Sequence, residues 1–288
     1  VIRAGALLAL SLTGSAVFAG DNVEIQVKYP VGRVLLMKSD QNNVTDAAGM
    51  RIVQVHVQEI EEEVLPTVAG VTHLRLTYLR QAMRTESPMG RMDFDSAKGA
   101  EPVSEPSFAV LGALVGQSFE VLLDSDLSVR EIRGAEGIVQ RVLRALPADL
   151  PSESVEQIVA SFSAEELAKL AAEKLEIVPQ RAVSVGESWS NAVEMQLPGV
   201  GSLITTSVYT LGRVLGKTAT IDFVVSAKMA DGNALLTGLE MSGAGVTHFD
   251  LEAGYFTDSH VEIKMSGQVQ GMPMSVLSTV DVVQSLRE

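Results

Sequence analysis

The sequence predicts a β-rich α+β fold: a large curved antiparallel sheet, as two duplicated half-barrel-like sheets or one continuous sheet, with a short helical insert. Three observations carry that expectation. Long stretches alternate apolar and polar residues with a period of two, a central region changes to a spacing of three and four, and short residue patterns before that region recur after it.

Alternation is plainest in three stretches. "RIVQVHVQ" sets Val53, Val55 and Val57 on one face and Gln54, His56 and Gln58 on the other. "HVEIKMSGQV" sets Val261, Ile263, Met265 and Val269 against His260, Glu262, Lys264 and Gln268. "TATIDFVVSAKM" aligns Ala219, Ile221, Phe223, Val225, Ala227 and Met229. One dry face per strand is the mark of antiparallel sheets with a covered and a wet side; parallel sheets are buried on both.

Between Gly134 and Glu176 the spacing turns helical, with Ile138, Val142 and Leu146 on one stripe and Leu167, Leu170, Ala171 and Leu175 on another. "SAEE" at 163–166 predicts a capping box, and Glu165 stands one turn before Lys169. Pro147 and Pro151 divide the run into two or three short amphipathic helices.

The recurring patterns are "DF" at 93–94 and 222–223, each followed by "SAK", then Phe119 against Phe249 and Glu131–Ile132 against Glu262–Ile263. An internal duplication is the expectation they support. The organisation expected is a signal peptide at 1–19, an N-terminal antiparallel half at 20–133, a helical insert at 134–178 and a C-terminal antiparallel half at 179–288.

The opening "VIRAGALLALSLTGSAVFAGDN" places Arg3 before a short apolar run that ends in small residues. That is the pattern of a secretory signal cleaved after Ala19, and the run is shorter than the roughly 20 residues a membrane-spanning helix needs. The expected location is therefore periplasmic or secreted, with no transmembrane segment in the mature chain. Cysteine is absent from all 288 residues, which excludes disulfides, thiolate metal sites and cysteine nucleophiles. A formal net charge of −14 opposes nucleic acid as a partner, because phosphate backbones are bound by clustered Lys and Arg.

Motifs that carry chemistry are weak. "GRVLGKT" at 212–218 has three residues between its glycines where a phosphate loop has four, and an alternating stretch follows it, so a hairpin turn is expected. "GESWS" at 186–190 lacks the last glycine of a nucleophile elbow and is expected to turn into a strand, with Trp189 anchoring the core. His56, His73, His248 and His260 have no metal-ligand spacing; His56 and His260 are placed on polar faces. "DFD" at 93–95 and "DSD" at 124–126 pair carboxylates, the second where a hairpin should turn. No metal, cofactor or catalytic residue is expected.

Methionine is the suggestive excess, 11 against 8 Phe, 4 Tyr and 1 Trp. Thioethers adapt to varied apolar shapes, so Met229, Met265, Met272 and Met274, with Leu143 and Leu167 of the insert acting as a lid, are the candidate apolar lining of a ligand cavity between sheet and helices. With "YPVG" at 29–32, "LTYLR" at 76–80, "VGESW" at 185–189, "MSGAG" at 241–245 and "FDLEAG" at 249–254, the chain resembles an uncharacterised family of exported bacterial proteins. Its architecture resembles that of periplasmic lipoprotein carriers of the LolA type, a resemblance that implies a hydrophobic ligand and carries no residue over. The function expected is a non-catalytic envelope protein that binds a lipid or other apolar small molecule. A binding module for an envelope protein partner is the second expectation, and a hydrolase using paired carboxylates the third.

Overall fold

The computed structural model describes residues 22–68, 70–98, 105–179, 181–197, 201–229, 236–269 and 271–287. The segment expected to be a signal, residues 1–19, lies outside them. The first half builds β1 (Val34–Ala47), β2 (Met50–Val68), β3 (Val71–Ser87), β4 (Gly90–Asp95), α1 (Pro106–Leu114), β5 (Ser118–Leu123) and β6 (Val129–Arg133). Three helices follow, α2 (Ala135–Ala145), α3 (Ser152–Ala160) and α4 (Ala164–Glu176). The chain then returns to strands, β7 (Ser188–Leu197), β8 (Gly201–Leu215), β9 (Thr218–Met229), β10 (Leu236–Asp250), β11 (Tyr255–Val269) and β12 (Met272–Leu286).

All strands join one 12-stranded antiparallel sheet in the order β6-β5-β3-β2-β1-β12-β11-β10-β9-β8-β7, with β4 paired to β3 beside that path. The sheet is open, so β6 and β7 are its two edges. The two halves meet along β1 and β12, whose pairing runs from Leu35 opposite Leu286 to Ala47 opposite Met274. There is thus one continuous sheet rather than two.

The repeated patterns do not fall on equivalent strands. β9 and β10, which hold Phe223 and Phe249, are hydrogen-bonded neighbours, whereas β4 and β5, which hold Phe94 and Phe119, each pair with β3. "SAK" is a 3-10 turn at Ser96–Lys98 and part of β9 at 226–228. The strand pairing thus gives the duplication no support.

The helices lie on one face of the sheet, the inner face. Ile138 and Val142 of α2 and Leu167 of α4 are buried with Leu74, Leu76, Phe119 and Val121 of the strands beneath. Pro147 and Pro151 separate α2 from α3 as the sequence requires. At the start of α4, Ser163 Oγ accepts from the Glu166 amide at 3.2 Å, but the Glu166 carboxylate turns to Lys169 instead of back to the cap. Helix α1, "PSFAVLGAL", is an addition to the sequence expectation; apolar on all sides, it shows no helical stripe, and its Phe108 stacks on Phe94 at 5.7 Å.

A second core gathers Tyr209, Leu211, Ile221 and Phe249 around Ile25 and Val183. It is reached by residues 22–33, which cross one end of the sheet as a strap. Val23 and Val183 exchange two backbone hydrogen bonds, the Lys28 amide donates to Gly254, and the Gly32 amide donates to Val64. Gly254 has φ +73°, and a Cβ there would stand 2.5 Å from Lys28 Cγ, so only glycine lets the strap pass.

Candidate functional site

Side chains alternate across a strand, so the register assigns each residue to a face. One row of the inner face runs Thr45, Val276, Met265, Met241 and Ala227 across β1, β12, β11, β10 and β9. Another, four residues nearer the helices, runs His56, Gln41, Val280, Val261, Gly245, Phe223, Tyr209 and Trp189. Phe223 lies against Gly245 so closely that a Cβ would meet its ring at 2.4 Å.

The sequence expectation for β2 is corrected here. Gln54, His56 and Gln58 face inward and Val53, Val55 and Val57 outward. The anchor is Gln81 of β3, opposite Gln58, which is 0% exposed and stands 3.0 Å from His56 Nε2. His56 is therefore part of a half-buried amide cluster and not a solvated surface imidazole. Alternation of equal strength on both faces left the sequence no means of choosing between them; Met83 pairs with both His56 and Phe94, and Phe94, stacked on Phe108 of α1, marks their shared face as the one the helices cover.

Charge separates the two faces. On the outer face Arg80 bonds Glu59 at 3.1 Å and Asp95 at 3.0 Å, Arg84 bonds Asp93, His260 bonds Asp281 and His248 bonds Asp258. Donating to Asp95 and then to Glu59 raises the pKa of the Arg80 guanidinium, while Arg80 holds the Asp95 carboxyl below its ordinary range despite some burial. The "DFD" carboxylates are thus consumed by arginines. "DSD" closes the β5–β6 turn, where Asp126 Oδ1 accepts from the amide and hydroxyl of Ser128. On the inner face, from the Thr45 row to the Gln58 row, the register places Ser, Thr, Asn, Gln, His and apolar residues and no carboxylate, lysine or arginine.

The candidate lining residues divide. Met229 and Met265 pack, with Met241, against Leu203, Ala227 and Leu239 at the end of the inner face beyond the helices. Met274 shares that face by register and is half-buried, and Met272 is 49% exposed at the strand's start. Leu167 belongs to the core under α4 at 1% exposure, and Leu143 stands on the solvent side of α2 at 44%. From Met265 to Ser259, beside the helix-covered end, is about 20 Å at the rise of an antiparallel strand. The structure therefore gathers the methionines and leaves the two leucines out; the expected lid over a methionine-lined cavity is replaced by helices packed on one half and an uncovered apolar half beside them.

Clefts among the described residues lie elsewhere, and three of them have appreciable volume. One of about 550 Å³, lined by Ile25, Leu127, Leu175 and Arg181 among others, separates the strap from α4 and the β5–β6 turn. Another of about 550 Å³ on the outer face is walled by Arg80, Arg84, Asp93 and Asp95, whose charges already satisfy one another. The third, about 660 Å³, opens beside Arg33, whose guanidinium is sandwiched between the rings of Tyr29 and Tyr255 at 5.5 and 5.6 Å. Burial lowers the Arg33 pKa against the pull of Glu62, and burial, then Glu62, raises that of Tyr29. Arg33 also donates to the Ala253 carbonyl, so this group fastens the strap to the β10–β11 turn. "YPVG" in the sequence marks the position but not the sandwich, which needs Tyr255 from far along the chain. Among the described residues no group of three or more His, Asp or Glu is placed to hold a metal ion, and no helix is long and apolar enough to cross a membrane.

A family described as "Family of unknown function (DUF6263)" matches residues 69–273. No curated protein matches the chain significantly. Among solved structures, lipovitellin, described by its lipid–protein interactions, is similar at 10% identity and a TM-score of 0.47, over 91% of this chain and 26% of that one. The translocator domain of the autotransporter NalP from Neisseria meningitidis is similar at 8% identity and 0.33, over 88% of each chain. An outer membrane channel from Pseudomonas putida F1 is similar at 8% identity and 0.29, over 92% of this chain and 100% of that one. At such scores function has to be argued from the geometry alone.

Proposed function

We propose that this chain, which belongs to the family of unknown function DUF6263, is a non-catalytic binder that holds a lipid or other apolar ligand against the uncovered half of its inner face. The observation that supports it is the partition of charge. In a chain of net charge −14, the acids and bases of β9 to β12 stand on the outer face while the inner face of these four strands continues uncharged past the helices. Four neighbouring strands from β12 to β9, at about 4.8 Å spacing and about 3.4 Å rise over six residues, give an apolar strip on the order of 400 Å². That is the size at which an apolar patch on a soluble protein usually has a use. Methionine thioethers on it accommodate chains of differing shape, and each methylene buried contributes about 0.8 kcal/mol.

Export to the periplasm or medium is part of the proposal, supported by the Arg3-to-Ala19 pattern. A second reading, a strand-pairing module for an envelope protein, is favoured by one feature. Edge β6 is short, rich in charge and packed by α4, whereas edge β7 spans ten residues and carries Glu194 as its one charge.

The test is purification from the envelope fraction, where the N-terminus is expected at Gly20, followed by native mass spectrometry and titration with a fluorescent acyl probe. Saturable binding is expected, weakened at least tenfold by Val261→Asp on the inner face and unchanged by Val224→Asp on the outer face. Binding indifferent to Val261→Asp overturns the site; absence of both bound lipid and probe binding turns the assignment to the β7 edge.

A further inference from the structure

The uncharged inner face is itself of two kinds, and the division bears on what the ligand is. Over β9 to β12 it offers Phe223, Val225, Val261, Ile263, Met265 and Val280; over β1 to β3 it offers side-chain amides, an imidazole and hydroxyls. Two contacts show how the amides are arranged. Gln41 Nε2 donates to Asn43 Oδ1 at 3.2 Å, and His56 stands 3.0 Å from Gln81 Oε1. Gln81 Nε2, buried, has no acceptor among the described residues. An orphaned buried donor costs about 1–3 kcal/mol, so its retention beside a half-buried polar cluster points to an acceptor brought from outside the protein. His56, Gln41 and Val280 lie side by side in one row, so the amide patch joins the apolar strip with no charge between them.

We propose, resting on the apolar-ligand reading above, that the ligand is an uncharged lipid bearing a carbonyl acceptor, an acyl ester in its simplest form. Its chain lies on the β9–β12 strip and its ester faces the amide patch of β1–β3. The cations that flank these rows, Lys38, Arg80, Arg84 and Lys264, stand on the outer face and are paired with Asp40, Glu59, Asp93 and Glu262, so the register offers an ionised carboxylate or phosphate on this part of the inner face no counter-charge. Burying such an ion unpaired is far more costly than burying an ester carbonyl that accepts from an amide. Neutral head and apolar tail are thus selected together.

The experiment compares methyl oleate, oleate and hexadecane at pH 8 on the full chain, by competition with a fluorescent acyl probe and by the fluorescence of the lone tryptophan, Trp189. Methyl oleate is expected to bind at least tenfold more tightly than oleate. His56→Leu with Gln41→Leu should weaken methyl oleate at least fivefold and leave hexadecane unchanged. Gln81→Met, which removes the orphaned donor while keeping the volume, should do the same, with far-UV circular dichroism confirming the fold of each variant. Oleate binding as tightly as methyl oleate, or an ester affinity indifferent to all three substitutions, overturns the ligand class and leaves the apolar site standing. Failure of all three compounds overturns the site and the class together.

Discussion

Asp250 ends β10 and organises the turn into β11. Its Oδ1 accepts from the amides of Glu252 at 2.9 Å and Ala253 at 2.8 Å, and its other oxygen lies 3.2 Å from Lys217 Nζ. The Ala253 amide, ahead of Lys217 and against burial, holds this carboxyl below the ordinary carboxylate range. A carboxyl depressed in the folded state stabilises it above the unfolded value, near 3.9, and that contribution disappears as pH falls through the folded value. Asp250→Ala, with two amides orphaned, is expected to cost about 1–3 kcal/mol in urea unfolding at pH 7. The difference from the parent should shrink steadily from pH 4 to pH 2; a difference constant with pH would place the effect in packing alone.

At the scale of elements, α2 and α4 show that helical stripes are narrower than their apolar residues suggest. Val142 is 0% exposed and Leu167 1%, but Leu143 and Leu170, one and three residues away, are 44% and 55% exposed. A turn of 3.6 residues rotates i+1 and i+3 by about 100° and 300°, enough to carry a side chain off a flat contact. Leu167→Ala should therefore cost about 2–5 kcal/mol, and Leu143→Lys less than about 0.5 kcal/mol. Thermal unfolding of the two variants checks this, and an equal effect would mean that α2 buries both its faces. A hinged lid would show the opposite balance, small effects at both sites.

At the scale of the molecule, two cores are tied by one sheet and one strap. The β1–β12 pairing joins the halves and residues 22–33 bridge Val183 on one side to Val64 on the other. Neither half can unfold without exposing the long edge of β1 or β12. Unfolding should consequently be a single transition, in which the fluorescence of Trp189, stacked on Tyr209 and bonded to the Ile177 carbonyl, and far-UV circular dichroism fall together. Separate transitions for the two signals would show that the halves are independent.

The sequence by itself determined the strands, because period-two alternation is a local consequence of pleating, and it determined α2 to α4 through spacing and prolines. It also placed Met229 and Met265 on the apolar side of their strands. Tertiary structure decided three things that local pattern does not encode. It turned His56 and its neighbouring glutamines inward, since alternation says that a strand has two faces and not which one will be covered. It built the Arg33–Tyr255 lock and the Val23–Val183 bridge from residues far apart in the chain, joined by contacts with no periodic trace. And it separated Leu143 and Leu167 from the methionines, because a strand about 20 Å long lies between residues that composition alone had grouped. The face of a strand is set by its register with neighbours, and register is a property of the assembled sheet.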